Sequence, residues 1–285
     1  MLAVIGGSGV YSLKGLKKTR WVRVESPFGD PSDEVLLGEL DGQPLAFLPR
    51  HGRGHSISPS GINFRANIDA LKRLGASQVI SISAVGSLRE DLPPGMFVIV
   101  DQFIDRTIAR EKTFFDSGVV AHVSLARPVC ARLGDRIEEA ARGMDLQYTR
   151  GGTYLVMEGP QFSTLAESEL YRKWGCDVIG MTNMPEAKLA REAELCYATV
   201  AMVTDYDCWH PDHDDVTVDM IVKTVADNAA RACELITRVV PGSAVDLCPQ
   251  GCQRVLDHAI ITPPEHREAR AVERLAAVAG RVLHR

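Results

Sequence analysis

Neither an excess of positive charge nor a long apolar run is present, and each absence narrows the function. Asp and Glu (37) outnumber Lys and Arg (32), giving a net charge of -5, so no nucleic-acid or anionic-membrane partner is indicated. No apolar stretch approaches the roughly 20 residues of a membrane-spanning helix. The short Leu2-Ala3-Val4-Ile5 run passes straight into glycines without a basic leader, so an intracellular, cytoplasmic protein is expected. The seven cysteines are odd in number and scattered through apolar sequence, which fits reduced thiols better than a disulfide framework. Cys248 and Cys252 are the exception, a spacing open to a local disulfide or half a metal site. No second ligand pair follows them, so no metal is expected. A lysine-bearing P-loop, a dinucleotide fingerprint, internal repeats and low-complexity tracts are missing as well.

What is present is an alternation of strand-like and helix-like stretches. The 285 residues are enough for a real core. Leu2 to Ile5, Gln78 to Ser83, Met96 to Val100, Gly152 to Met157, Cys176 to Thr182 and Leu195 to Val203 read as strands. Trp21 to Glu25, Val35 to Leu40 and Leu45 to Leu48 read as short antiparallel ones. Asn63 to Leu74, Pro128 to Gly143, Glu167 to Trp174, Pro185 to Glu194 and Val218 to Val240 have helical spacing. This order predicts an α/β fold with a central, largely parallel sheet flanked by helices. Beyond Pro241-Gly242 the composition shifts. Residues 1–242 are therefore expected to form the catalytic domain, and 243–285 an extension that ends in a helix from Glu265 and packs on the body or on a neighbouring subunit.

The chemistry gathers at strand ends. Gly6-Gly7-Ser8-Gly9 and Ala84-Val85-Gly86-Ser87 read as glycine turns whose backbone N–H groups and hydroxyls suit an anion, although a plain tight turn serves the first equally well. Arg50, His51, Arg53 and His55 make a cationic loop that is open to two readings, oxyanion binding or a solvated basic loop. Phe162, after the Glu158-Gly159-Pro160 turn, reads on sequence alone as a core plug rather than a stacking platform. Asp205 and Asp207 end the apolar run Leu195 to Val203; on an extended chain their spacing puts both acids on one side. Oxyanion-binding strand ends beside a carboxylate pair suit inorganic phosphate meeting a nitrogen base.

The segments Ile5–Gly9, Pro27–Asp33, Arg50–His55, Asn63–Ile68, Gly86–Glu90, Asp101–Thr107, Glu158–Ser163, Met181-Thr182 with Pro185-Glu186, and Ala201–Trp209 occur in this order over residues 1 to about 240. In these the chain resembles the trimeric purine nucleoside phosphorylase family, specifically its branch acting on 5′-methylthioadenosine. The resemblance implies a single α/β domain around a mixed sheet, a homotrimer, and phosphorolysis of S-methyl-5′-thioadenosine to adenine and 5-methylthioribose 1-phosphate. It needs no cofactor, phosphate being a co-substrate. It implies phosphate held by Ser8, Arg50, His51, Ser83, Ala84 and Thr182, with ribose against Met181 and purine against Phe162 and Ser163. It places the base edge at Asp205 and Asp207, the methylthio group among Val218, Ile221 and Val222, and His122 in the neighbouring subunit's site. Ser8 and Ser83 stand where relatives often have threonine, with the hydroxyl retained. A broader purine nucleoside or methylthioinosine phosphorylase, and a nucleoside-binding sensor, are the alternatives.

Overall fold

The computed structural model describes residues 1–7, 15–211, 218–243 and 247–284, and of 218–223 it describes the helical backbone alone. Ser8 and the side chains of Val218, Ile221 and Val222 therefore lie outside the described residues. In chain order the elements are β1 (Leu2–Gly6), β2 (Lys17–Val22), β3 (Val35–Leu40), β4 (Gln43–Pro49), α1 (Phe64–Arg73), β5 (Gln78–Ser87), β6 (Phe97–Val100) and β7 (Gln102–Asp105). Then come α2 (Ala131–Arg142), β8 (Tyr148–Arg150), β9 (Thr153–Val156), α3 (Leu165–Lys173), β10 (Val178–Gly180), α4 (Asn183–Glu192), β11 (Cys196–Asp205), α5 (Val218–Val239), α6 (Ala269–Arg274) and α7 (Ala276–Leu283).

One mixed sheet runs β2-β3-β4-β1-β5-β10-β9-β7, with β11 paired to β5 and β6, and β8 to β6. Its centre is parallel (β4, β1, β5, β11), while the β2-β3-β4 meander is antiparallel, as expected. The two-residue period of the strands separates two apolar faces. Ala3, Ile5, Tyr197, Ala201 and Val203 face Ile68 and Leu71 of α1, Leu189 of α4 and Val278 of α7. Leu2, Val4, Ile80, Ile82, Val200 and Met202 face Leu133 and Ile137 of α2 and Leu235 and Ile236 of α5. Each such Leu or Ile taken from water contributes about 1.5–3 kcal/mol. A layer of helices on each face leaves only strand ends open to a ligand.

Three expectations are corrected. Ala84-Val85-Gly86-Ser87 is no turn but the continuation of β5: Gly86 and Ser87 pair with β10, and Gly86 also opposes Asp205. A Cβ on Gly86 would lie 2.7 Å from Asp205 Oδ1, so the glycine allows close approach rather than a reversal. The final helix is two, α6 and α7, meeting at Leu275. Lastly, Cys248 and Cys252 do have a second pair, upstream of them. The sulfurs of Cys130, Cys196, Cys248 and Cys252 lie within 4.8 Å of one another and all four residues are buried.

The extension packs on the body: Leu256, Leu275, Val278 and Leu283 share a core with Ala3 and Ile5. Arg281 pairs with Glu194 and Asp257, and Leu256 N–H donates to Glu194 Oε1 at 3.1 Å. No helix among the described residues is long and apolar enough to cross a membrane.

Candidate active site

A cleft opens where β1, β4, β5, β10 and β11 end, lined by Arg50, His51, Ser83, Ala84, Phe162, Met181, Thr182, Asp205 and Asp207, among others. Nine of the expected site residues thus meet in one place.

On the oxyanion side Arg50, 1% exposed, is held by a buried network. Its Nε donates to Glu186 Oε2 at 2.8 Å, Nη1 to Ile82 O at 2.8 Å, and Nη2 to Ser81 Oγ at 2.6 Å with Glu186 Oε1 at 3.2 Å. Glu186 Oε1 also accepts from Ser81 Oγ (2.6 Å) and Tyr197 OH (2.9 Å). Asn183 ties Ser81, Tyr197 and Thr199 together through Nδ2. Burial works against the guanidinium charge, and Glu186 more than restores it, so the Arg50 pKa is raised. Of the five guanidinium protons, one on Nη1 has no acceptor among the described residues. Gly7 leaves room there, since a Cβ on it would sit 3.3 Å from Nη1.

His51 stacks on His55 with ring centroids 4.3 Å apart. Its Nδ1 lies 2.8 Å from Ile57 O, and since a carbonyl only accepts, Nδ1 carries the proton. Burial, then the Arg50 charge, pulls its pKa down to about 4. The ring is therefore neutral at pH 7 and Nε2 is a bare acceptor, suited to the single hydroxyl of hydrogen phosphate. Ser83 Oγ, 3.0 Å from Tyr154 OH and 3.2 Å from Thr182 Oγ1, completes a hydroxyl cluster beside them.

The other side is carboxylic. β11 carries a register shift between Val203 and Asp205, a bulge of the kind that re-aims a strand-end side chain. The expectation that an extended chain sets the two acids side by side needs revision. The strand stops at Asp205, and Asp207 sits at φ 52° in the left-handed region. The pair is instead joined by a turn in which Asp207 N–H donates to Asp205 Oδ1 at 2.8 Å. Thr204 Oγ1 lies 2.7 Å from Asp205 Oδ2. Desolvation raises the pKa of both acids, against hydrogen bonds from Thr204 and Asp207 N–H to Asp205. For Asp207 the neighbouring hydroxyls of Ser168 and Ser163 oppose burial, while the Asp205 charge adds to it. Asp207 Oδ2 is buried and has no hydrogen-bond partner among the described residues. Trp209 Nε1, donating to Ser87 O at 2.8 Å, and Arg172, 3.5 Å above the Trp209 ring, fasten the segment that follows.

Phe162 is 43% exposed at the cleft, so it is not the core plug expected from sequence alone. Arg110 fixes Met181 through its carbonyl at 2.6 Å. Ser163 does not line the cleft; its hydroxyl is 3.7 Å from Met157 Sδ, a residue that does. His122 is also outside, exposed in a separate depression with Lys112, Thr113, Lys188 and Glu192. Sequence reasoning assigned no role to Glu186, Ser81, Asn183 or Thr204, and gave Gly86 a turn rather than its place beside Asp205. Glu186 was within reach, because a buried arginine demands a carboxylate; Ser81 and Asn183 carry no pattern of their own.

A family model for the phosphorylase superfamily matches residues 1–241. The S-methyl-5′-thioadenosine phosphorylase of Rhodospirillum rubrum is 63% identical over 286 residues, covering 99% of this chain and 97% of its own length. That of Cereibacter sphaeroides is 61% identical, covering 99% and 98%. A methylthioadenosine phosphorylase crystal structure from an antarctic soil metagenomic library superposes with a TM-score of 0.90 at 47% identity, covering 97% of this chain and 98% of that one. The Schistosoma mansoni methylthioadenosine phosphorylase in complex with adenine superposes at 0.84 and 36% identity, covering 90% and 98%.

Proposed function

The chain belongs to the phosphorylase superfamily, and on that premise we infer that it catalyses the phosphorolysis of S-methyl-5′-thioadenosine, a pentosyl transfer in purine and methionine salvage. The products are adenine and 5-methylthioribose 1-phosphate. The observation that carries this reading is the cleft itself, with a buried arginine and hydroxyl cluster on one wall and two desolvated acids on the other.

The chemistry follows from that division. Cleaving the bond from C1′ to purine N9 builds positive charge on the ribose ring and negative charge on the base. Phosphate, held by the free Nη1 proton of Arg50, by Ser83, Thr182 and the Ala84 backbone, and donating its hydroxyl to His51 Nε2, stabilises the first charge. It then forms the new C1′–O bond. Asp205, whose raised pKa favours the protonated form, supplies or shares the proton that N7 takes as N9 departs. Asp207 orients it through the 2.8 Å backbone hydrogen bond. A carboxyl group also accepts from the 6-amino group of adenine, which favours adenine over 6-oxopurines. Phe162 offers its exposed ring to the base and Met181 its side chain to the ribose.

In this reading Ser8 joins the phosphate set, and Val218, Ile221 and Val222 enclose the methylthio group. The chain works as a cytoplasmic homotrimer in which His122 and Ser163 serve the nucleoside, with His122 crossing a subunit boundary; its exposure outside its own cleft supports that assignment. Phosphate is a co-substrate, and the mechanism uses no cofactor. Adenine release from methylthioadenosine, followed with and without phosphate, tests the reaction: release independent of phosphate means a hydrolase, and binding without release means a sensor. Inosine turned over as fast as methylthioadenosine would overturn the base assignment. Solution mass tests the trimer.

A further inference from the structure

Far from the cleft, at the root of β11, four thiols converge that the reaction does not use. Cys130 precedes α2 at its N-cap and makes no capping hydrogen bond, so its thiol is free to turn inward. Cys196 begins β11. Cys248 and Cys252 come from a tight turn in the C-terminal extension, closed by Gly251 N–H to Cys248 O at 2.9 Å, with Gly251 at φ 72°. The four are at most 5% exposed. Their sulfurs lie within 4.8 Å of one another, and those of Cys130 and Cys248 are 3.6 Å apart.

Geometry separates the ways such a cluster can be used. A disulfide requires sulfurs about 2.05 Å apart, and none of the four cysteines is in one. Four thiolates around one tetrahedral zinc at about 2.3 Å place their sulfurs about 3.8 Å apart, close to the separation found. The surroundings favour charge on sulfur. Arg132 Nη2 reaches Cys196 Sγ at 4.0 Å and Arg191 Nη1 reaches Cys252 Sγ at 3.8 Å. Gln253 accepts from Cys248 N–H at 2.8 Å through Oε1 and presents Nε2 to Cys196 Sγ at 3.9 Å. Two guanidinium groups gain little from neutral thiols, but they offset the net double negative charge of a divalent ion with four thiolates.

We propose that Cys130, Cys196, Cys248 and Cys252 bind one tetrahedral, thiophilic divalent ion, zinc in kind, which fastens the C-terminal extension to the base of the central sheet. The ion is structural. It has four protein ligands and no open position, and the length of β11 sets it about 30 Å from Asp205.

The test is the metal content of the full-length protein, produced in zinc-supplemented medium, purified without metal-affinity resin and kept reduced. About one zinc per chain is expected for a single four-thiolate site, lost in Cys248→Ser and Cys252→Ser but retained in Cys233→Ser, whose thiol is outside the cluster. Titration with a mercurial should release the metal to a chromogenic chelator, and melting should then occur at lower temperature. Cobalt(II) put in its place should give the intense visible bands of a tetrahedral thiolate site. If the serine variants fail to fold, wild-type metal content and the cobalt spectrum decide. Wild-type protein free of metal with all seven thiols titratable after denaturation overturns the proposal, as do two disulfides found by intact mass after alkylation. Phosphorolysis rates of soluble Cys248→Ser should match wild type; a lost rate with intact fold would overturn the structural role.

Discussion

The two walls of the cleft are built on opposite terms. On the phosphate side a buried cation is surrounded: Arg50 has Glu186, Ser81 and two backbone carbonyls, and Glu186 in turn has Ser81 and Tyr197. On the carboxylic side Asp207 keeps a buried oxygen with no partner among the described residues, and Asp205 leans on one hydroxyl and one backbone N–H. The first wall is finished before substrate arrives and acts as a rigid template. In the proposed reaction the second is completed by the purine, whose nitrogen and amino group meet the two acids.

The contrast can be broken most severely at Glu186. Glu186→Ala leaves Arg50 buried and charged without its counter-ion, and breaking a buried pair in this way costs about 3–5 kcal/mol. Urea denaturation should register that loss, and the KM for phosphate should rise; a stability within about 1 kcal/mol of wild type would mean the template does not depend on the pair. Next, Asp205→Ala should lower kcat by about 10²-fold or more while phosphate affinity stays near wild type. Near-normal turnover would remove Asp205 from the mechanism. Gly86→Ala is milder: its methyl arrives 2.7 Å from Asp205 Oδ1 and 3.2 Å from Ile179 Cγ2. Such overpacking costs about 1–3 kcal/mol and should reduce kcat/KM for the nucleoside without altering phosphate affinity.

The smallest effect at neutral pH belongs to His51. Its folded pKa, near 4, lies below the ordinary value of 6.5, so below pH 6.5 the unfolded chain takes up a proton that the folded chain refuses. Its contribution to stability is present above pH 6.5 and is lost as pH falls through 4. Melting followed from pH 7 to 4 should show a shallower decline in His51→Gln than in wild type. Parallel curves would mean that His51 is not held neutral.

Much of this was readable without coordinates. Leu2 to Ile5, Val35 to Leu40 and Asn63 to Leu74 carry their structure in local pattern and caps, and Asn63 does cap α1 by accepting from Ala66 N–H. Arg50, His51, Thr182 and Asp205 sit at or just past strand ends, where an α/β sheet collects ligands, whereas Ser83 lies within β5. What pattern could not reveal depends on partners remote in the chain. Gly86 resembled a turn because its reason, the approach of Asp205, lies more than a hundred residues on. Phe162 resembled a plug because exposure is a property of the assembled cleft. Cys130 and Cys196 share no spacing with Cys248 and Cys252, and only the sheet and α2 bring them together.

The core shared by Ala3, Ile5, Leu256, Leu275 and Val278 has a consequence for how the chain is made. Residues made early are covered by residues made about 250 positions later, at a synthesis rate of about 5–20 residues per second. Until α7 emerges, one face of the central sheet, covered by α1 and α4 alone, stays partly open and available to chaperones. A nascent chain halted near residue 241 would expose that face indefinitely, so a stop codon there should yield aggregate rather than a smaller enzyme.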